Sequence, residues 1–187
     1  MSFCRLIATA FAAMIPVVAS AQPPAGTPAQ PNAMQRIELP GAPDKPFPYT
    51  VDIPADWQMR QVKDIPGVWL GPKDAEPPND PRLVYVRISP KPLTDPAQTA
   101  ANIRAEDAKQ PWSAPLVEVR EVGGVRGVLV RMDSGEGDKA RSTLVLKLPL
   151  ENGGVDFLGS APRAEFEKLL PSYQKVFFSV RRRAAGK

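Results

Sequence analysis

The densest set of oxygen ligands in the sequence is Asp133, Glu136 and Asp138, in the single stretch DSGEGD. Carboxylates at near-alternate positions on one loop can hold Ca²⁺. The stretch lacks the D-x-D-x-D-G pattern and the later glutamate of a calcium loop, so it reads first as a solvated hairpin tip and no metal is assigned. Asp52 and Asp56 flank Pro54 and form a second group of carboxylates. With Asp133 and Asp138 they are the raw material for acid-based hydrolysis, which needs two carboxylates roughly 5 to 10 Å apart in one cleft. Taken singly, Asp52 fits the solvent side of a strand and Asp56 a turn. Trp57, Trp69 and Trp112 are large rings that could line a pocket, but tryptophans in a small domain more often sit in or beside the core.

Composition removes most other chemistry. The 187 residues include no histidine and one cysteine, Cys4. No Ser-His or Cys-His nucleophile pair can be built, and no imidazole or thiolate zinc site. Serines and threonines have no base nearby in sequence, and there is no G-x-S-x-G. Gly135 to Gly137 (GEG) is too short for a phosphate loop and opens no helix. No catalytic residue and no cofactor is assigned. Arg181 to Arg183 with Lys187 make a short basic run that could touch anionic lipid or nucleic acid; a solvated basic tail over 181–187 is the simpler reading.

The N-terminus sets the compartment. Arg5 precedes an apolar run from Leu6 to Val18, and Ala19-Ser20-Ala21 is an A-x-A cleavage site, so residues 1–21 read as a cleaved signal peptide. The run is short for a membrane span, so the mature protein is not expected to span a membrane. Cleavage also removes Cys4, which leaves a domain with no disulfide and suited to an oxidising compartment. The expected location is periplasmic or extracellular, and export argues against a nucleic-acid partner. The net charge of +4 is modest.

Residues 22–46 are rich in Pro, Ala and Gln and read as a linker, with a short strand at Arg36 to Leu39 as the one exception allowed. The folded domain is expected over 47–180. Tyr49, Val51 and Ile53 alternate with Thr50 and Asp52, the period of a half-buried strand, and Pro54 and Trp57 follow. Met59 to Lys63 and Val68 to Gly71 read as a hairpin. Leu83 to Ser89 is a strand with Val84, Val86 and Ile88 on one face. Asp95 as N-cap and Pro96 at N1 open a helix to about Lys109. Leu116 to Val122, Val125 to Met132, Ala140 to Leu150 and Val155 to Gly159 form an antiparallel meander, turned first by Gly123-Gly124. A last helix starts near Ala161. Phe166, Leu169, Leu170, Tyr173 and Phe177 make its apolar stripe, with Pro171 expected to kink or restart it.

This order of elements resembles the PsbP-like superfamily. The resemblance rests on Tyr49-Thr50-Val51-Asp52-Ile53-Pro54-Ala55-Asp56-Trp57 and on the closing Phe166, Leu169-Leu170 and Phe178-Ser179-Val180. It covers about Phe47 to Arg182, and its motifs are structural. It implies an α+β fold: an α/β/α sandwich with a central antiparallel sheet of about six to seven strands and two main helices. It also implies a non-catalytic module that binds proteins and helps assembly. Metal sites proposed in some members use histidine, which this chain lacks, so that role does not carry over. The expected function is therefore an exported protein-interaction or envelope-assembly module whose partner is another envelope or secreted protein. The alternatives are a small-molecule or lipid binder with a cleft lined by the tryptophans and, last, a carboxylate hydrolase.

Overall fold

The computed structural model describes residues 33–40, 47–107 and 109–183. The expected signal segment 1–21, most of the expected linker and the end of the basic tail, 184–187, lie outside the described residues.

The chain begins with β1 (Met34–Glu38) and β2 (Tyr49–Pro54), which pair antiparallel from Met34↔Pro54 to Glu38↔Thr50. Tyr49, Val51 and Ile53 point into the core, as their alternation predicts. β3 (Trp57–Arg60) and β4 (Val68–Pro72) form a hairpin around a wide loop. β5 (Val84–Ser89) follows. Helix α1 (Pro96–Asp107) starts where Asp95 Oδ1 accepts the amides of Ala97 at 2.8 Å and Gln98 at 3.1 Å, satisfying donors that the first turn leaves open.

β6 (Trp112–Val122) and β7 (Val125–Ser134) are joined by Gly123-Gly124 at φ 58° and 77°, the left-handed pair that a two-residue hairpin turn requires. β6 begins four residues earlier than the alternation suggests. A register shift between Ser113 and Leu116 takes up Pro115, which has no N–H for the ladder. β8 (Arg141–Leu150) and β9 (Gly153–Pro162) complete the meander. Helix α2 (Arg163–Phe177) and the two-residue β10 (Arg181–Arg182) end the described chain.

Seven strands make one antiparallel sheet in the order β3-β4-β5-β9-β8-β7-β6, and a small sheet runs β1-β2-β10. The architecture is α+β with a helix on each face of the large sheet. α2 and the small sheet cover one face. Phe166, Tyr173, Val176 and Phe177 are fully buried there with Leu144, Leu146, Leu148 and Phe157, and Val51 and Ile53 of β2 share the same core. Gly159 is what lets the helix lie so close: a Cβ at that position would overlap the Tyr173 ring. α1 covers the other face, where Leu93, Ala100, Val117, Val128, Val130 and Val145 form a smaller core. Among the described residues, no helix is long and apolar enough to cross a membrane.

Several sequence expectations are corrected. The strand at Tyr49 to Pro54 lies outside the central sheet that the PsbP-like resemblance implies, as the middle strand of the small one. The domain does not start at 47, because β1 lies within the expected linker and Leu39 is buried in the core. The basic run is not a free tail at its start: Arg181 and Arg182 pair with Thr50 and Tyr49, and Arg183 forms an ion pair with Glu38 at 2.8 Å. Pro171 does not restart α2, which runs from Arg163 to Phe177 with the proline inside it, and Tyr173, Val176 and Phe177 beyond the proline are buried in the core. Ile88 keeps the face of Val84 and Val86, opposite buried Val155, but nothing among the described residues covers it there and it is 63% exposed.

Side chains occupy part of each edge of the large sheet. At β6, Arg104 of α1 donates to the Val117 carbonyl, and the Ala114 amide donates to Asp107 Oδ1 at 2.6 Å. At β3, Gln35 Nε2 of β1 donates to the Trp57 carbonyl at 2.7 Å. Occupied edge groups cannot template another strand.

Candidate functional site

The two sheets share one core but part at one end. The seam between them is an apolar cleft of about 1080 Å³, at the upper limit of ligand pockets, which run to about 1,000 Å³. Its floor is the end of the large sheet: Val68 of β4, Val86 and Ile88 of β5, and Pro149 and Leu150 of β8. The opposite wall is the small sheet and its flanks: Leu39, Phe47, Pro48, Tyr49 and Arg182. Gln61, Pro66 and Asn152 close the ends.

The strand pattern explains why the cleft is there. Val68, Val86 and Leu148 lie on the buried face of the large sheet. α2 covers that face over β8 and β9, and β2 covers more of it, but neither reaches Ile88. Tyr49 holds the wall to the floor by donating its hydroxyl to the Pro149 carbonyl. Burial pushes the Tyr49 hydroxyl pKa up, and the positive charge of nearby Arg182 acts the other way. Tyr85 donates in the same fashion to the Pro66 carbonyl. Beyond the inner wall, Ser179 Oγ accepts the Asp52 amide at 3.0 Å, so the segment after α2 anchors β2 before β10 joins it.

None of the three tryptophans lines this cleft. Trp57 is buried in the main core. Trp69 is buried with Ala75 and Leu83 and stacks on Tyr85, ring centroids 4.5 Å apart. Trp112 is half-buried beside a second, much smaller hollow of about 230 Å³ under α1, lined also by Arg87, Glu106 and Lys147. Trp57 and Trp69 thus sit in cores, the reading the sequence favoured, and the alternative of a cleft lined by the tryptophans is not formed.

The carboxylates also stay apart. Asp52 is held by Arg36 at 2.8 Å, and that hydrogen bond draws its pKa below the ordinary range. Asp56 is exposed in the turn before β3. Asp133 lies next to the end of β7 and pairs with Arg131 at 3.4 Å. Glu136 and Asp138 are exposed on the following 3₁₀ turn. Among the described residues, no three carboxylate or other ligand side chains converge on one point. Sequence reasoning did not single out Asp156 of β9, a buried carboxylate between two cations. Lys147 Nζ lies 3.0 Å away and Arg87 Nη2 3.3 Å away on the neighbouring strands. Such flanking satisfies a buried charge, and a lone Asp in an apolar strand was the available signal.

No family model matches the chain, and no curated protein matches it in sequence. Solved structures do match its fold. A cyanobacterial PsbP (CyanoP) from Synechocystis superposes over 85% of this chain and 98% of its own, with TM-score 0.54 and 18% identity. The fold is PsbP-like. LpqN, a Mycobacterium tuberculosis protein involved in cell envelope biogenesis, matches over 80% of this chain and 91% of its own, with TM-score 0.52 and 16% identity. A Bacteroides thetaiotaomicron protein matches over 84% of this chain, which spans about half of that protein (51%), with TM-score 0.53 and 10% identity. At these identities the likeness is one of fold. It bears out the PsbP-like architecture expected from the Tyr49 to Trp57 and Phe166 to Val180 segments.

Proposed function

We propose that this chain is an exported, non-catalytic binding module of the cell envelope, and that the inter-sheet cleft is its binding element. The observation that carries this reading is the cleft itself: an apolar seam of about 1080 Å³ that leaves Ile88 63% exposed on a strand whose neighbouring inward residues are buried. Large exposed apolar surface marks a place where something else docks. The apparent signal peptide supports export. The envelope role of LpqN, a protein of the same fold, supports the compartment.

Two occupants fit a module of this kind. One is an apolar segment of another envelope or secreted protein, as in assembly. The other is a small hydrophobic molecule or lipid, and the walls favour it. Pro40, Pro48, Pro66 and Pro149 bring no N–H to the lining, and the Pro66 and Pro149 carbonyls already accept from Tyr85 and Tyr49. A bound peptide must have its own N–H and C=O groups satisfied, and these walls have little to offer it.

Photocrosslinking from position 88, with position 98 on exposed α1 as control, tests the reading in envelope extract. Adducts of alkyl-chain mass from position 88 alone are the expected result. A discrete protein adduct from position 88 would favour the assembly occupant. Equal labelling from both positions, or none from either, would sink the cleft as the binding element.

A further inference from the structure

Resting on the cleft as the binding element, we propose that its ligand is a single-chain anionic amphiphile: the alkyl chain lies on Val86, Ile88, Leu150 and Phe47, and the head is held by Arg182 at the mouth.

The apolar part follows from the floor. Ile88 is the most exposed large apolar side chain among the described residues, and covering it is worth roughly 25 cal/mol per Å² removed from water. A methylene chain asks for no hydrogen bonds, so it suits a lining whose carbonyls at Pro66 and Pro149 are taken.

The anionic part follows from the three consecutive arginines. Arg181 donates to the Phe178 and Val180 carbonyls at 2.8 and 2.9 Å. Arg183 is paired with Glu38. Arg182, between them, points to the cleft side of β10 and lines it, and it has no hydrogen-bond or ion-pair partner among the described residues. The other charged lining residues are committed: Arg87 to Asp156 at 3.3 Å, and Glu151 to a partner of its own. Arg182 is therefore the cation left to recognise an incoming head. Its planar fork of donors matches a carboxylate, sulfate or phosphate. Fatty acids and phospholipid-derived anions share this chemistry.

Calorimetric titration of the purified protein with dodecanoate and dodecyltrimethylammonium below their micellar concentrations, and with dodecanol below its solubility limit, tests the proposal. Dodecanoate is expected to bind about tenfold or more tighter than dodecanol, the range of a charge-assisted hydrogen bond, with the cation weakest. Arg182→Gln is expected to abolish the preference for dodecanoate and leave dodecanol unchanged. Its backbone pairing with Tyr49 does not depend on the side chain. Dodecanol binding as tightly as dodecanoate would overturn the anionic head while leaving the cleft reading intact. No binding of any of the three would overturn both. A dodecanoate preference that survives Arg182→Gln would remove Arg182 from the site.

Discussion

On the α2 face of the large sheet, the helix buries four large side chains completely: Phe166, Tyr173, Val176 and Phe177. On the α1 face, the helix of similar length buries one, Ala100. The same seven strands support both, so the difference lies in the helices. α2 carries a full apolar stripe. α1 is alanine-rich with polar residues on all sides, and such a helix cannot bury much area. Its work is at the sheet edge, where Arg104 and Asp107 occupy the outward groups of β6. One helix holds the fold together; the other occupies part of the sheet's edge. The cleft opens on the α2 side, at the end of the sheet that α2 does not reach. Binding surface is left where the better-packed layer stops.

The sharpest way to break this comparison is Phe177→Ala. Removing a fully buried ring from the α2 face should cost about 3 to 5 kcal/mol, read as a fall in the denaturation midpoint. If the loss is under about 1 kcal/mol, α2 does not carry the core and the two faces are equivalent.

Next comes alkaline titration. Burial raises the Tyr173 hydroxyl above its ordinary value of 10.0, and it donates to the Pro81 carbonyl. A group whose folded pKa is raised keeps its contribution below the unfolded pKa and loses it as pH climbs beyond. Stability should therefore fall as pH rises past about 10. Tyr173→Phe should flatten that fall, although it also removes the bond to Pro81. An unchanged alkaline slope in the variant would place the titration elsewhere.

The smallest effect is expected on the α1 face. Asp95→Ala removes the N-cap of α1 and should cost about 1 kcal/mol. Faster amide hydrogen exchange should be confined to α1 and the neighbouring edge of β6. Exchange that spreads to α2 would show that the two faces unfold as one and that the division drawn between them is false.

Much of this molecule was legible in the sequence because local chemistry forced it. Alternation at Tyr49 to Ile53 marked a strand with one buried face, and Leu144, Leu146 and Leu148 marked the α2-side face of a strand that is also buried at Val145 on the other side. Gly123-Gly124 gave the hairpin, Asp95-Pro96 gave the start of α1, and the spacing of Phe166, Tyr173 and Phe177 gave the stripe of α2. The missing histidine and the single early cysteine removed whole classes of chemistry without any coordinates.

The second sheet was not legible, and neither was the cleft it forms. Alternation says that a strand has a buried face; it does not say in which sheet the strand lies. β1 has two half-buried residues in five, too few to stand out from a proline-rich stretch. β10 is two arginines, with no apolar signal at all. Both become strands because β2 offers them free backbone groups, and β2 does so because Ser179, 127 residues away, fixes the end of α2 beside it. The tryptophans stood between two readings for the same reason: size and aromatic character suit a ring to a core or a pocket, and only the packing of distant strands decides which rings the core consumes. Local spacing determined the elements and their buried faces. Long-range pairing alone decided that two sheets should part beside Ile88 and leave Arg182 without a partner among the described residues, because no short stretch of sequence holds both sides of that seam.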